Sequence, residues 1–247
     1  AFTASFFVAL AMYYGGIFAV VAIVALGIYA LYHSQQRYAK KQAEEKKGDV
    51  LFMEMLACKD AKEITPMLCR HLNVSTAENV ELYARSLSDA TDGLFDENLR
   101  TLRRTSRTLS SHKRELKNLR RRETICLRRA DPVTAVRLST NFHLLHNSLR
   151  QMLYCLLRIS EPAREHVDNN FTPIDAKYAE RFRTVRERLL QVMNETAARL
   201  RVGNLSENEA LRVECTNIRK ELSVLRKEVL VQAQTSETNL TPATLFL

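Results

Sequence analysis

The stretch LSTNFHLLHNSLRQMLYCLLRIS, Leu138 to Ser160, decides the fold. Leu138, Phe142, Leu145, Leu149, Met152, Leu156 and Ile159 recur by alternating steps of four and three. That spacing puts them on one stripe of an α-helix and on both faces of any strand. Leu144, Leu153, Cys155 and Leu157 widen the stripe, so this helix is expected to be the most buried in the chain.

The neighbours repeat the pattern. Upstream, Asp131-Pro132 offers a capping oxygen ahead of a proline, which loses nothing at the first helical position. Downstream, RISEPAREHVDNNFTPID (Arg158 to Asp175) reads as a helix end and a turn. Pro162 is expected to kink or locally break the helix, Asn169-Asn170 to cap it, and Thr172-Pro173 to open the next one. That next helix carries Tyr178, Phe182, Val185, Leu189 and Val192. A further one carries Leu211, Cys215, Ile218, Leu222, Leu225 and Val229, with Ser206 and Glu209 at capping-box spacing.

On the other side, Ser75-Thr-Ala-Glu78 is a second capping box. It opens a helix expected from about Ala77 towards Arg129, through Val80, Tyr83, Leu87, Ala90, Leu94, Leu102, Leu109 and Leu116, with room for a break inside it. Residues 49–73 read as one or two short connecting helices, with Pro66 about a turn into the second. No alternating strand pattern competes. Short connections make neighbouring helices antiparallel, so residues 49–247 are expected to form an all-α, up-and-down bundle of long helices.

No Asp, Glu, Lys or Arg occurs from Ala1 to Gln36, and GIFAVVAIVALGIYALY (Gly16 to Tyr32) is long enough to cross a bilayer. A transmembrane segment is therefore expected over 1–33, with Tyr29 and Tyr32 at an interface. The basic tether at 34–48, RYAKKQAEEKK at its heart, places the following bundle in the cytoplasm. Five scattered cysteines without a CxxC pair suit reduced thiols there. The chain opens on Ala1, and a helix start at Thr241-Pro242 runs out at Leu247, as expected of a fragment.

The net charge of +9 is concentrated: Asn98 to Arg129 holds twelve Lys or Arg against two Glu, a local balance of +10. This run contains no aromatic residue, which disfavours stacking on single-stranded nucleic acid, and duplex binding from a membrane tether is disfavoured too. A solvated face around the leucine stripe is the plainest reading. Contact with acidic lipid or an acidic surface through Arg103, Arg104, Arg107, Arg120, Arg121 and Arg122 is the functional one. His143 and His146 border the apolar stripe and read as flank or core histidines, since no further zinc ligands stand nearby. No phosphate loop, metalloprotease helix or nucleophile with a local base appears, so the chain does not read as an enzyme.

The segment LLRISEPAREHVDNNFTPI, together with FTASFFVALAMYYGG ahead of a polar tether, resembles the C-terminal part of PiT-family inorganic phosphate transporters. The version it resembles, as in Bacteroides-type bacteria, carries a cytosolic PhoU-like helical extension. The likeness covers nearly the whole chain and is strongest from Asn141 to Ile174. It implies a multi-pass inner-membrane symporter that moves inorganic phosphate with a cation. The phosphate site would lie in an upstream membrane domain, which the bundle would contact and regulate, with a homodimer as the expected assembly. PhoU-like domains also carry D/E-x-x-x-D motifs, and Asp92 and Asp96 match that spacing with Asp89 beside them, so the resemblance implies a divalent metal ion at Asp89, Asp92 and Asp96. A second literal motif is absent; Glu161, Glu165 and Asp168 are the nearest substitute. A membrane-anchored helical signalling or scaffold protein without transport is the alternative.

Overall fold

The computed structural model describes residues 22–23, 26–29, 32–36, 52–204 and 206–235, with side chains as far as residue 231. Most of the expected membrane segment, its tether and the Thr241-Pro242 helix start lie outside the described residues. Among the described residues no helix is long and apolar enough to cross a membrane. The chain divides into Ala1–Ala57, where 52–57 are helical, and Cys58–Leu247.

The second unit is all-α: α1 Ala61–Phe95, α2 Leu99–Arg129, α3 Pro132–Asp168, α4 Ala176–Arg201 and α5 Glu209–Thr235. Among the described residues helix α1 packs against α2, α3 and α4, α2 also packs on α3, and α5 rests on α4 alone. This corrects the expectation that Pro132–Asp168 is the most buried helix. That place belongs to α1, which buries side chains from Ile64 to Thr91 because it has three neighbours, whereas Leu144, Cys155 and Ile159 of α3 face outward. The main core joins Ala77, Val80, Tyr83 and Leu87 of α1 to Leu109 and Leu116 of α2 and to Leu149, Leu153 and Leu156 of α3. A smaller cluster of Val185, Val192 and Ile218 fastens α5 to α4.

The single long helix expected towards Arg129 is two. The chain reverses at Asp96–Asn98, where Glu97 takes a φ of 51° and the Asn98 N–H reaches back 2.8 Å to the Gly93 carbonyl. Asn98 then caps α2 by accepting from the Thr101 N–H at 3.1 Å. Gly93 permits this tight return, since a Cβ there would stand 2.9 Å from Cγ of the fully buried Leu102.

Three expected helix starts shift. Ser75 does not cap a helix: Asp60 caps α1 fifteen residues earlier by accepting from Lys62 N–H, and the helix runs on through Pro66 in its second turn. A proline that early forfeits one backbone bond without ending the helix. Thr172-Pro173 does not open α4, because the Thr172 carbonyl is 3.0 Å from His166 Nε2 and stays in the connection. Asp175 caps α4 instead, at 2.8 Å from the Lys177 N–H. Ser206 likewise yields to Asn208, whose Oδ1 accepts from the Leu211 N–H at the start of α5. Asp131 caps α3 as the sequence indicates, Asn169 and the positive-φ Asn170 end it, and α3 continues unbroken through Pro162.

Candidate functional site

The most unusual chemistry is buried where α1, α2 and α3 meet. Leu102, Leu109 and Leu116 of α2 recur every seven residues on the face that packs inward, and the next member of that row is a carboxylate, Glu123. Its side chain is 1% exposed. One oxygen, Oε1, accepts from the Ser75 hydroxyl at 3.1 Å and lies 3.2 Å from His71 Nε2, both carried by α1. The other, Oε2, lies 2.6 Å from Nε2 of His146 on α3, in an orientation off the hydrogen-bond direction, so that contact is electrostatic rather than a formed hydrogen bond. His146 is 3% exposed and its Nδ1 has no hydrogen-bond partner among the described residues, while the ring packs 4.5 Å from that of Phe142.

Burial on its own would raise the Glu123 carboxyl; the imidazoles of His146 and His71 outweigh it and hold the group below the ordinary carboxylate range. One turn on, burial and the Glu123 charge push the Cys126 thiol up, which makes it a poor nucleophile. Both imidazoles address the carboxylate rather than a common point beyond it. Among the described residues no three His, Cys, Asp or Glu side chains are arranged to hold a metal ion. The cluster is a three-helix polar tie whose carboxylate and His146 are almost fully buried.

A second polar tie lies about three turns earlier on α2. His112 of α2 places Nε2 2.6 Å from Oδ1 of the buried Asn79 and Nδ1 3.2 Å from Glu115, with its ring edge-on to Tyr83 at 5.6 Å. Burial raises the Tyr83 phenol, whose hydroxyl has no hydrogen-bond partner among the described residues.

The carboxylates implied as metal ligands each meet an arginine of another helix. Asp89 pairs with Arg104 at 3.3 Å and Asp96 with Arg183 at 2.8 Å. Asp92 accepts from Arg186 and, at 3.0 Å, from the Ser88 hydroxyl. They therefore form three separate ion pairs, from α1 and the residue that ends it, with α2 and α4. Among the arginines singled out in the sequence, Arg103 pairs with Asp168 at 2.9 Å and Arg120 lies 3.5 Å from Nδ1 of the exposed His143. Arg107, Arg121 and Arg122 are exposed.

A cleft of about 820 Å³ opens between the second half of α3 and α5, above the end of α1. It exists because α5 packs on α4 and leaves α3 uncovered. Arg158, Arg219 and Arg226 line it together with Phe95, Phe182 and Leu222, and Glu161 and Glu165 offset part of that positive charge.

Sequence reasoning missed Glu123, which lay inside the basic run as one of its two acids. Its signal was positional, seven residues past Leu116, where an inward-facing side chain is due. Comparison with protein families, with curated proteins and with solved structures finds no match to this chain.

Proposed function

We propose that this chain is the membrane-anchored, cytosolic regulatory part of an inorganic phosphate transporter, an up-and-down helical module of the PhoU-like kind. The observation that carries the anchoring is the order along the chain: an uncharged apolar stretch to Gln36, a basic tether, and then a helical bundle. The bundle's ionisable groups support a regulatory rather than catalytic role. The buried ones are engaged in ties between helices, as Glu123 is with His71 and His146 and Arg186 is with Asp92. Phosphate, cation coupling and the upstream membrane domain rest on the resemblance alone, which is strongest over residues 141–174.

A second reading, a membrane-anchored scaffold without transport, is favoured by α5, which has one neighbouring helix among the described residues and leaves Val213 and Val224 about half exposed. Such a helix suits self-association.

Anchoring and sidedness are tested with the exposed Cys155 and Cys215. In cells the protein is expected to stay in the membrane fraction through an alkaline wash. A membrane-impermeant maleimide should modify these two thiols only after permeabilisation, with Cys155→Ser and Cys215→Ser chains as controls. Release by the wash, or labelling of intact cells, would overturn the reading.

A further inference from the structure

Five arginines of α2, Arg100, Arg107, Arg114, Arg121 and Arg128, recur every seven residues, and all are exposed. They stand two positions before the buried row of Leu102, Leu109, Leu116 and Glu123. At about 100° per residue this offset places them on the opposite side of the helix, along its outward ridge. None of the five forms an ion pair or hydrogen bond within the described residues, whereas Arg103 and Arg104 beside them are taken by Asp168 and Asp89. Lys117, exposed and equally unpaired, falls among them. From Arg100 to Arg128 the row is about 42 Å long at 1.5 Å per residue. A seven-residue repeat drifts by about 20° each time on a straight helix, so Arg107, Arg114 and Arg121 stay within about 40° of one another and can face a single plane.

We propose that this ridge lies against the anionic headgroups of the membrane to which the chain is tethered. Its shape and composition select that partner. It is convex, so it does not enclose a small ligand. It carries no aromatic residue, and the one large apolar side chain exposed on α2 is Ile125, so it lacks the apolar anchors that a protein interface buries. An anionic leaflet needs neither, and each cation held beside it multiplies partitioning by about fivefold. The same chain supplies the surface, since its uncharged apolar stretch ends at Gln36 and a basic tether follows. The inference rests on the anchored placement proposed above but not on phosphate transport.

The test places a photoreactive benzophenone side chain at Asn118, which is exposed and lies between the arginines, in the full chain reconstituted in lipid nanodiscs. A lipid adduct is expected in bilayers containing phosphatidylglycerol, with far less in phosphatidylcholine alone, and high salt should screen it. The triple change Arg107→Gln, Arg114→Gln and Arg121→Gln is expected to reduce the adduct by tenfold or more, since three such cations together are worth about a hundredfold in partitioning. Lysine at the same three positions, which keeps the charge and discards the guanidinium geometry, should restore it. Equal adducts in neutral and anionic bilayers overturn the proposal, as do an adduct to a second copy of the chain or capture of the probe by added duplex DNA. Thiols that label only from the cytosolic side with no lipid adduct sink the docking alone; labelling of intact cells sinks both readings.

Discussion

Replacing Glu123 by alanine is expected to lower the unfolding free energy by about 3–5 kcal/mol, the range for removing one partner of a buried charged network. The change leaves His71 Nε2, the Ser75 hydroxyl and His146 Nε2 facing an apolar gap. Against a typical domain stability of about 5–15 kcal/mol, this is a large share. Glu123→Gln should lose less, because one oxygen remains as an acceptor. Replacing His71, Glu123 and His146 together by leucine should cost far less, because both imidazoles go with the carboxylate and the Ser75 hydroxyl keeps the Leu72 carbonyl at 3.3 Å as an acceptor. Acid separates these variants further. The folded carboxyl of Glu123 sits below its ordinary 4.5, so its contribution is complete above that pH and is lost as pH falls through the lower folded value. The advantage of the wild type over Glu123→Gln should therefore shrink below pH 4.5 and hold at neutral pH. Urea unfolding at a series of pH values measures both effects. An alanine variant within about 1 kcal/mol of wild type at neutral pH would mean that the carboxylate is not the tie between α1, α2 and α3.

Phe142→Ala is expected to cost about 3–5 kcal/mol, the usual loss for a fully buried aromatic ring. Phe142 is 2% exposed and its ring meets those of His143 and His146 edge-on, so truncation opens a cavity against an imidazole that already has one unpartnered nitrogen. The informative comparison is Ile159→Ala. Both residues belong to the same four-and-three stripe, yet Ile159 is 38% exposed beside the α3–α5 cleft and its truncation should cost well under half as much. Both variants should move the denaturation midpoint without changing the slope, as expected when the bundle itself is retained. Equal losses at the two positions would contradict the orientation of α3.

The contrast between Phe142 and Ile159 shows what the sequence reveals. Periodicity identifies the helices and their apolar stripes, and the caps at Asp131 and Asn169 fall where local chemistry places them. It does not reveal how many neighbours a stripe has. Hence α3 looks the most buried while α1 holds the centre, and one flank of the α3 stripe is left exposed at Leu144. The capping signals at Ser75, Thr172 and Ser206 were overridden by long-range or alternative partners: Glu123 for Ser75, His166 for Thr172, and Asn208 in place of Ser206. The buried tie was hidden for a related reason. Glu123 and His146 are ordinary polar residues on amphipathic helices until helix packing brings them together. The arginine ridge was legible as a local run of charge from Asn98 to Arg129, not as a row. Distinguishing its unpaired members from paired Arg103 and Arg104 requires knowing where Asp168 and Asp89 lie.

The central claim, that this helical module regulates a phosphate transporter from the cytosolic side of a membrane, is tested most directly by phosphate uptake. The full-length protein containing this chain would be compared with a form lacking everything after Gln36, in cells or liposomes under sodium and proton gradients. Uptake that survives the deletion but no longer responds to phosphate supply is the predicted result. No uptake by the intact protein under either gradient would contradict the account and leave the anchored scaffold in its place.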